Sequence, residues 1–283
     1  LVALWAAVTL NFFIPRLLPG SPVDAVLAKL ALRGPVDAGT RRSIEVMLGA
    51  DSEKPLAQEY IDYLGGLVTG DLGVSVTYFP TPVIEVVGQS LPWTLVLVGL
   101  ATAFTFVLGM VLGTVVGWRR GTWLDSLIPA TTILQAVPYF WLALLFIYVL
   151  SVNLGMFPIS GGYDFTLVRP AFDYPFLSNA LYHGFLPALT IVLSSLGGWL
   201  LGMRNMMVST LSEDYILTAE AKGLSPRRVM IMYAARNAML PSVSGFAISL
   251  GFVVSGSIVV ETVFSYPGVG FTMLQAVQNN DYS

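Results

Sequence analysis

Apolar runs and polar segments alternate along this chain, and the alternation predicts its elements. Residues 1–18, 91–118, 126–152, 184–208 and 242–261 are almost wholly apolar. About 20 helical residues cross a bilayer core, so the last four runs each suffice for a span. The first is slightly short, and residues ahead of Leu1 are expected to complete it. Pro19-Gly20-Ser21-Pro22 ends it, because two prolines and a glycine cannot continue a helix. The pattern therefore predicts an all-α polytopic membrane protein with five transmembrane helices. There is no internal repeat and no low-complexity tract.

Residues 19–90 form the one long polar region. From Val23 to Ser90 it carries five basic and nine acidic residues. Helical periodicity shows near Val26 and again at Leu56, Tyr60, Tyr63, Leu64 and Leu67, and Gly70-Asp71-Leu72-Gly73 reads as a turn. In the second span Gly109, Gly113 and Gly117 recur every four residues, which places them on one helix stripe where another backbone can approach. The third span is expected to break at Pro129 and Pro138, which neighbouring helices can accommodate. Tyr139, Phe140 and Trp141 follow the second proline, as pathway-lining residues or as buried and interfacial aromatics. Ser255 and Ser257 in the last span are further candidates for the pathway. Residues 154–183 read as a second polar loop, with turn chemistry at Ser160-Gly161-Gly162 and a lone His183 as a hydrogen-bonding anchor.

The segment from 209 to 241 is polar yet composed for helices. Ser212 reads as an N-cap, with Glu213 and Asp214 favouring the positive helix end. That helix runs through Tyr215, Ile216, Thr218, Ala219 and Ala221 to Gly223, a residue suited to a left-handed stop. Ser225 and Pro226 restart a second helix, which carries Arg227, Arg228 and Arg236 and is expected to stop at Pro241.

Orientation follows from Lys and Arg in the short loops. Arg119, Arg120, Arg204, Lys222, Arg227, Arg228 and Arg236 flank spans two and four, whereas the loop after span three holds only Arg169. The 209–241 loop is thus expected in the cytoplasm, with 19–90 on the outer side.

Composition narrows the chemistry. Charged residues make up 11% of the chain, against about a quarter in soluble proteins, and mean hydropathy is +0.74. The net charge of −3 is split between two faces and points to no nucleic acid. Without cysteine there is no disulfide, thiolate nucleophile or Cys-ligated metal. One histidine and no HExxH leave no zinc site, and no G-x-x-x-x-G-K-[ST] is present to hold ATP. No cofactor or metal is therefore expected in this chain. Spans two, three and five lack ionisable residues in their interiors, which speaks against a proton- or ion-coupled carrier. A membrane enzyme would need a catalytic constellation, and a stand-alone channel a selectivity ring or filter; neither is visible.

Ala219, Ala221-Lys222-Gly223-Leu224, Ser225, Arg227 and Arg236-Asn237-Ala238-Met239-Leu240-Pro241 resemble the "EAA" loop of ABC-importer permeases, most closely the dipeptide/oligopeptide branch. Two departures from the general pattern are Leu217 in place of its acid and a longer gap between glycine and proline. Glu261 followed by Phe264-Ser265-Tyr266-Pro267-Gly268-Val269-Gly270 is similar to the family's F-x-x-P-G-x-G turn after span five. The P-G-x-P step at 19–22, Lys54-Pro55-Leu56, Gly70-Asp71-Leu72-Gly73 and Pro82-Val83 are similar to the family's first span end and extracytoplasmic region. The resemblance implies a type I importer permease with a sixth span beyond Ser283, in a bacterial or archaeal cytoplasmic membrane. It implies a second, homologous permease, two cytoplasmic ATPases carrying ATP and Mg, and an extracytoplasmic solute-binding protein. The loop at 209–241 would then hold the coupling helices that dock on an ATPase. Short peptides come first as cargo, with oligosaccharides or nickel as alternatives, and the choice would lie mainly in the binding protein.

Overall fold

The structure, a computed structural model, describes residues 2–17, 22–31, 36–47, 55–253, 257–279 and 281. Among these residues the regular elements are helices, with one isolated antiparallel bridge between Val74 and Pro82. The chain divides into two compact units, residues 1–90 with 272–283, and residues 91–271.

The first unit contains α1 (Val2–Leu17), α2 (Pro22–Ala31), α3 (Ala38–Met47) and α4 (Leu56–Thr69). Its two periodic stretches form α2 and α4. The intervening α3 is mostly polar and buries Ile44, which packs with Val23, Val26 and Val76. α1 meets α4 through Phe12, buried against the rings of Tyr60 and Tyr63. Thr9 Oγ1 and the Tyr60 hydroxyl lie 2.7 Å apart, and Asn11 donates to the Tyr63 hydroxyl at 3.0 Å. Gly70 ends α4 at φ 80°, as the turn signal predicted. Asp281 also belongs to this unit and accepts from the Ser75 hydroxyl and from the Thr77 N–H at 2.8 Å.

The second unit is built around residues 91–118 of α5 (Val83–Trp118) and around α8 (Tyr174–Thr210), two helices long and apolar enough to cross a membrane. Both start earlier than their apolar runs. Asp173 caps α8 by accepting from the Phe176 N–H at 3.0 Å, with Pro175 in the first turn, so ten residues read as loop are helix. His183 therefore sits inside α8, its Nδ1 2.9 Å from the Asn179 carbonyl one turn back. The glycine stripe is where α5 meets α8. A Cβ added at Gly109 would fall 2.5 Å from Trp199 Cβ, at Gly113 2.6 Å from the Leu200 carbonyl oxygen, and at Gly117 2.6 Å from Met207 Cβ. Only glycine allows that approach.

The third apolar run is α6 (Leu127–Ala136) and α7 (Tyr139–Phe146), the latter continued as a π-helix through Ile147–Asn153. One of its two expected breaks is absent. Pro129 occupies the first turn of α6, where a missing N–H and a fixed φ cost nothing. Pro138 makes the break, with Val137 before it extended at ψ 124° and the two helices bent by 94°. Beyond α8 come α9 (Asp214–Ala221), α10 (Pro226–Arg228), a π-helical stretch (Val229–Ala235), α11 (Arg236–Ala238), α12 (Leu240–Val253), α13 (Ile258–Val263) and α14 (Val269–Gln278). The described residues thus hold two full-length membrane helices and one bent pair. Two shorter apolar helices, Val2–Ile14 and Leu240–Val253, lie in the other two predicted spans.

Candidate functional site

The polar segment after α8 folds as two helical pieces around a glycine. Its first helix starts later than its sequence signal, at Asp214 after Glu213, because the Ser212 hydroxyl turns back to donate to the Ser209 carbonyl at 2.7 Å. α9 buries Ile216 and Ala219, three residues apart on one side, and exposes Leu217 and Ala221 on the other. The helix ends in a Schellman arrangement. The Gly223 N–H donates to the Glu220 carbonyl at 2.8 Å and the Leu224 N–H to the Ala219 carbonyl at 3.4 Å. Gly223 stands at φ 73°, in the left-handed region, and a Cβ there would meet nothing within 4 Å. Its requirement is conformational, and the space around it is open.

Ser225 and Pro226 then start the second piece, as the sequence predicted. It does not stop at Pro241. A single turn residue, Met239, separates α11 from α12, and Pro241 falls in the first turn of α12, where it is tolerated. Val229, Ala234 and Ala238 face inward and join Ile216, Ala219, Met203, Met207 and Met110 in one buried cluster, with Leu224 packed against it. Lys222, Ser225, Arg227, Arg236 and Asn237 stay exposed. Large apolar side chains are exposed beside them: Leu217, Ile231 and Met232. The result is a surface of mixed charge, with Glu213, Asp214 and Glu220 exposed beside the basic residues, that has an apolar component and rests on a core continuing into α8.

A second constellation sits at the other end of α5. Glu261 is completely buried on α13, and both of its carboxyl oxygens act as acceptors. Oε1 accepts from the Thr94 hydroxyl at 2.9 Å and the Ser257 N–H at 3.4 Å. Oε2 accepts from the N–H groups of Gly270 at 2.7 Å and Phe271 at 3.2 Å, in the first turn of α14. The Thr94 hydroxyl oxygen in turn accepts from the Val269 N–H at 2.8 Å. Three N–H groups that a helix start leaves without partners are thereby satisfied. A Cβ at Gly270 would lie 2.6 Å from Ile258 Cα, and one at Gly268 would collide with Glu261 and Thr94.

The F-x-x-P-G-x-G turn is also tied to the 154–173 loop. The Phe264 carbonyl accepts from the Gly161 N–H at 2.8 Å, and a Cβ at Gly162 would sit 2.8 Å from the Pro267 ring. Trp93 stacks on Tyr163 and meets Tyr266 edge-on. Thr94 carried no sequence signal, since nothing marks one threonine in an apolar span as the partner of a distant acid. Thr94 and Gly117 are separated by roughly 35 Å of α5, at 1.5 Å per residue.

The pathway candidates divide. Tyr139, Phe140 and Trp141 are exposed at the start of α7, just past the bend. Ser257 precedes α13, which packs on α7 and is tied to Glu261 through its backbone. Ser255 lies outside the described residues.

Residues 105–283 match the family described as "Binding-protein-dependent transport system inner membrane component". The chain is similar to the di/tripeptide transport system permease protein DppB of Pseudomonas aeruginosa, with 32% identity covering 96% of this chain and 83% of the relative. It is similar to the oligopeptide transport system permease protein AppB of Bacillus subtilis and the dipeptide transport system permease protein DppB of Escherichia coli. Both are 31% identical, again over 96% of this chain and 83% of each relative. On these matches, and with the membrane helices described above, the chain belongs to the family of binding-protein-dependent transport system inner membrane components.

Proposed function

We propose that this chain is a permease subunit of an ATP-driven importer of short peptides, and that the α9–α10 segment passes the ATPase cycle to the membrane helices. The observation that carries this is the joint construction at Gly223. An exposed, partly apolar turn is fixed by a Schellman stop to a core shared with Met203 and Met207 of α8. Met207 is also where Gly117 of α5 packs, so a push on α9 reaches two membrane helices through side chains in contact. Basic residues around the turn favour a cytoplasmic position. The chain itself performs no chemistry on this reading. Two ATPase subunits bind ATP and Mg, a second homologous permease completes the route, and an extracytoplasmic binding protein delivers cargo. Short peptides are the cargo favoured by the names of the relatives.

The test is reconstitution of the assembled transporter in liposomes, with uptake of labelled di- and tripeptides measured with and without ATP. ATP-dependent peptide uptake is expected. Uptake confined to an oligosaccharide or to nickel would replace the cargo and keep the machinery. Passive, ATP-independent flux through this chain alone would overturn the importer reading.

A further inference from the structure

From Leu95 to Val111 the exposed residues of α5 are Leu95, Val96, Leu100, Phe104, Val107 and Val111, all of them apolar. That face suits lipid tails. Val96 to Trp118 is roughly 33 Å of helix, about the thickness of a hydrocarbon core. The residues that follow Trp118 therefore reach the level of the headgroups.

They are Arg119-Arg120-Gly121-Thr122-Trp123. Gly121 turns the chain at φ 78°, and the Thr122 hydroxyl fixes the turn by donating to the Arg119 carbonyl at 2.7 Å. Arg119, Arg120 and Trp123 thus share one corner, all exposed, Trp123 by 75%. Neither guanidinium has an ion pair or side-chain hydrogen bond among the described residues. The nearest acid along the chain is Asp125, which leaves residues 119–125 net positive. Arg227, Arg228 and Arg236 are placed differently, in a segment where Glu213, Asp214 and Glu220 are exposed as well.

Guanidinium forks match phosphate oxygens, and basic residues beside a membrane are drawn to anionic lipid. Tryptophan settles where acyl chains meet headgroups. An acidic protein patch would satisfy the arginines yet leave the Trp123 ring without apolar cover. A phospholipid supplies phosphate and acyl chain together.

We propose that Arg119, Arg120 and Trp123 form a binding site for an anionic phospholipid headgroup, whose acyl chains lie on the apolar face of α5. The site goes beyond the importer reading and depends on neither cargo nor ATP.

The test reconstitutes the assembled transporter in phosphatidylcholine vesicles doped with photoreactive phosphatidylglycerol or photoreactive phosphatidylcholine. Labelled peptides are then identified by mass spectrometry. Residues 118–126 are expected to capture the phosphatidylglycerol probe preferentially. Arg119→Gln combined with Arg120→Gln should cut that capture about tenfold, as the attraction per basic residue implies. The corresponding lysine pair should retain most of it, and Trp123→Ala should lower it about threefold. Labelling along residues 95–111, unchanged by these substitutions, reports a folded and inserted chain. Equal capture of the two probes, or undiminished capture by the glutamine pair, overturns the proposal. So does displacement of the lipid probe by inorganic phosphate, which would make this a site for a soluble anion. Crosslinks from this corner to an ATPase or to the second permease in place of lipid overturn it too. Peptide uptake, read separately on the same vesicles, bears on the importer reading alone.

Discussion

Thr94 and Glu261 lie 167 positions apart in the chain and meet in a buried 2.9 Å hydrogen bond, the hydroxyl donating to Oε1. The same hydroxyl oxygen accepts from the Val269 N–H, so one threonine joins α5, α13 and the start of α14. Thr94→Val keeps the shape but removes both bonds, leaving the buried Glu261 Oε1 and the part-buried Val269 N–H each short of a partner. A loss of about 1–3 kcal/mol is expected for such a change. Thermal unfolding of the purified complex in detergent should show a clear drop for Thr94→Val and little for Thr94→Ser. Equal stability in the two variants would remove Thr94 from this role.

The α5–α8 seam gives a second expectation. At Gly113 a Cβ would lie 2.6 Å from the Leu200 carbonyl oxygen and 2.7 Å from Met203 Cβ, and backbone cannot step aside cheaply. At Gly99, on the same helix, it would meet only Val253 Cγ1, at 3.8 Å. Gly113→Ala is expected to cost roughly 1–3 kcal/mol, as overpacking does, and Gly99→Ala close to nothing. Apparent melting temperatures of the two variants decide this. A neutral Gly113→Ala would mean that the helices sit farther apart than described here.

Helix seams and helix stops were legible because they depend on local spacing. Glycines every fourth residue can only fall on one stripe, and a glycine after an amphipathic turn suits a left-handed stop. Gly113 and Gly223 were therefore visible in the sequence. The break at Pro138 was visible too, whereas Pro129 was misjudged because its cost depends on its place within the helix. A first-turn proline gives up no hydrogen bond. The same reasoning explains why α12 contains Pro241 instead of starting after it. Helix starts hidden in polar text, such as Asp173 capping α8, were missed because the following residues lack an apolar rhythm. Long-range polar pairs were the least legible. Nothing near Thr94 in the chain announces Glu261.

Topology makes a third expectation. Val68 on α4 is 89% exposed, and Ala221 at the end of α9 is also exposed. In intact cells an impermeant maleimide should label Val68→Cys directly and Ala221→Cys only after the membrane is opened. The reverse order would invert the orientation drawn from the basic loops.

The last expectation concerns Gly223. Its φ of 73° means that any L side chain there is strained, by roughly 1–2 kcal/mol. Nothing within 4 Å would obstruct a Cβ, so the cost is confined to the backbone and cannot by itself unfold the surrounding core. Gly223→Asn, which tolerates this region better, should insert and assemble nearly as the wild type does. Gly223→Asp adds charge and bulk to the outward tip of the turn, beside the apolar Leu224 and the exposed Leu217. If this tip enters a cleft on the ATPase, Gly223→Asp should assemble poorly with it or fail to couple, with peptide uptake down at least tenfold. Arg228→Ala, on an exposed position where the loss is one solvated charge, should cost less than threefold. Uptake and binding-protein-stimulated ATP hydrolysis, measured on reconstituted complexes of all three variants, separate the cases. A Gly223→Asp transporter as fully coupled as the wild type would show that the turn is not where the ATPase acts.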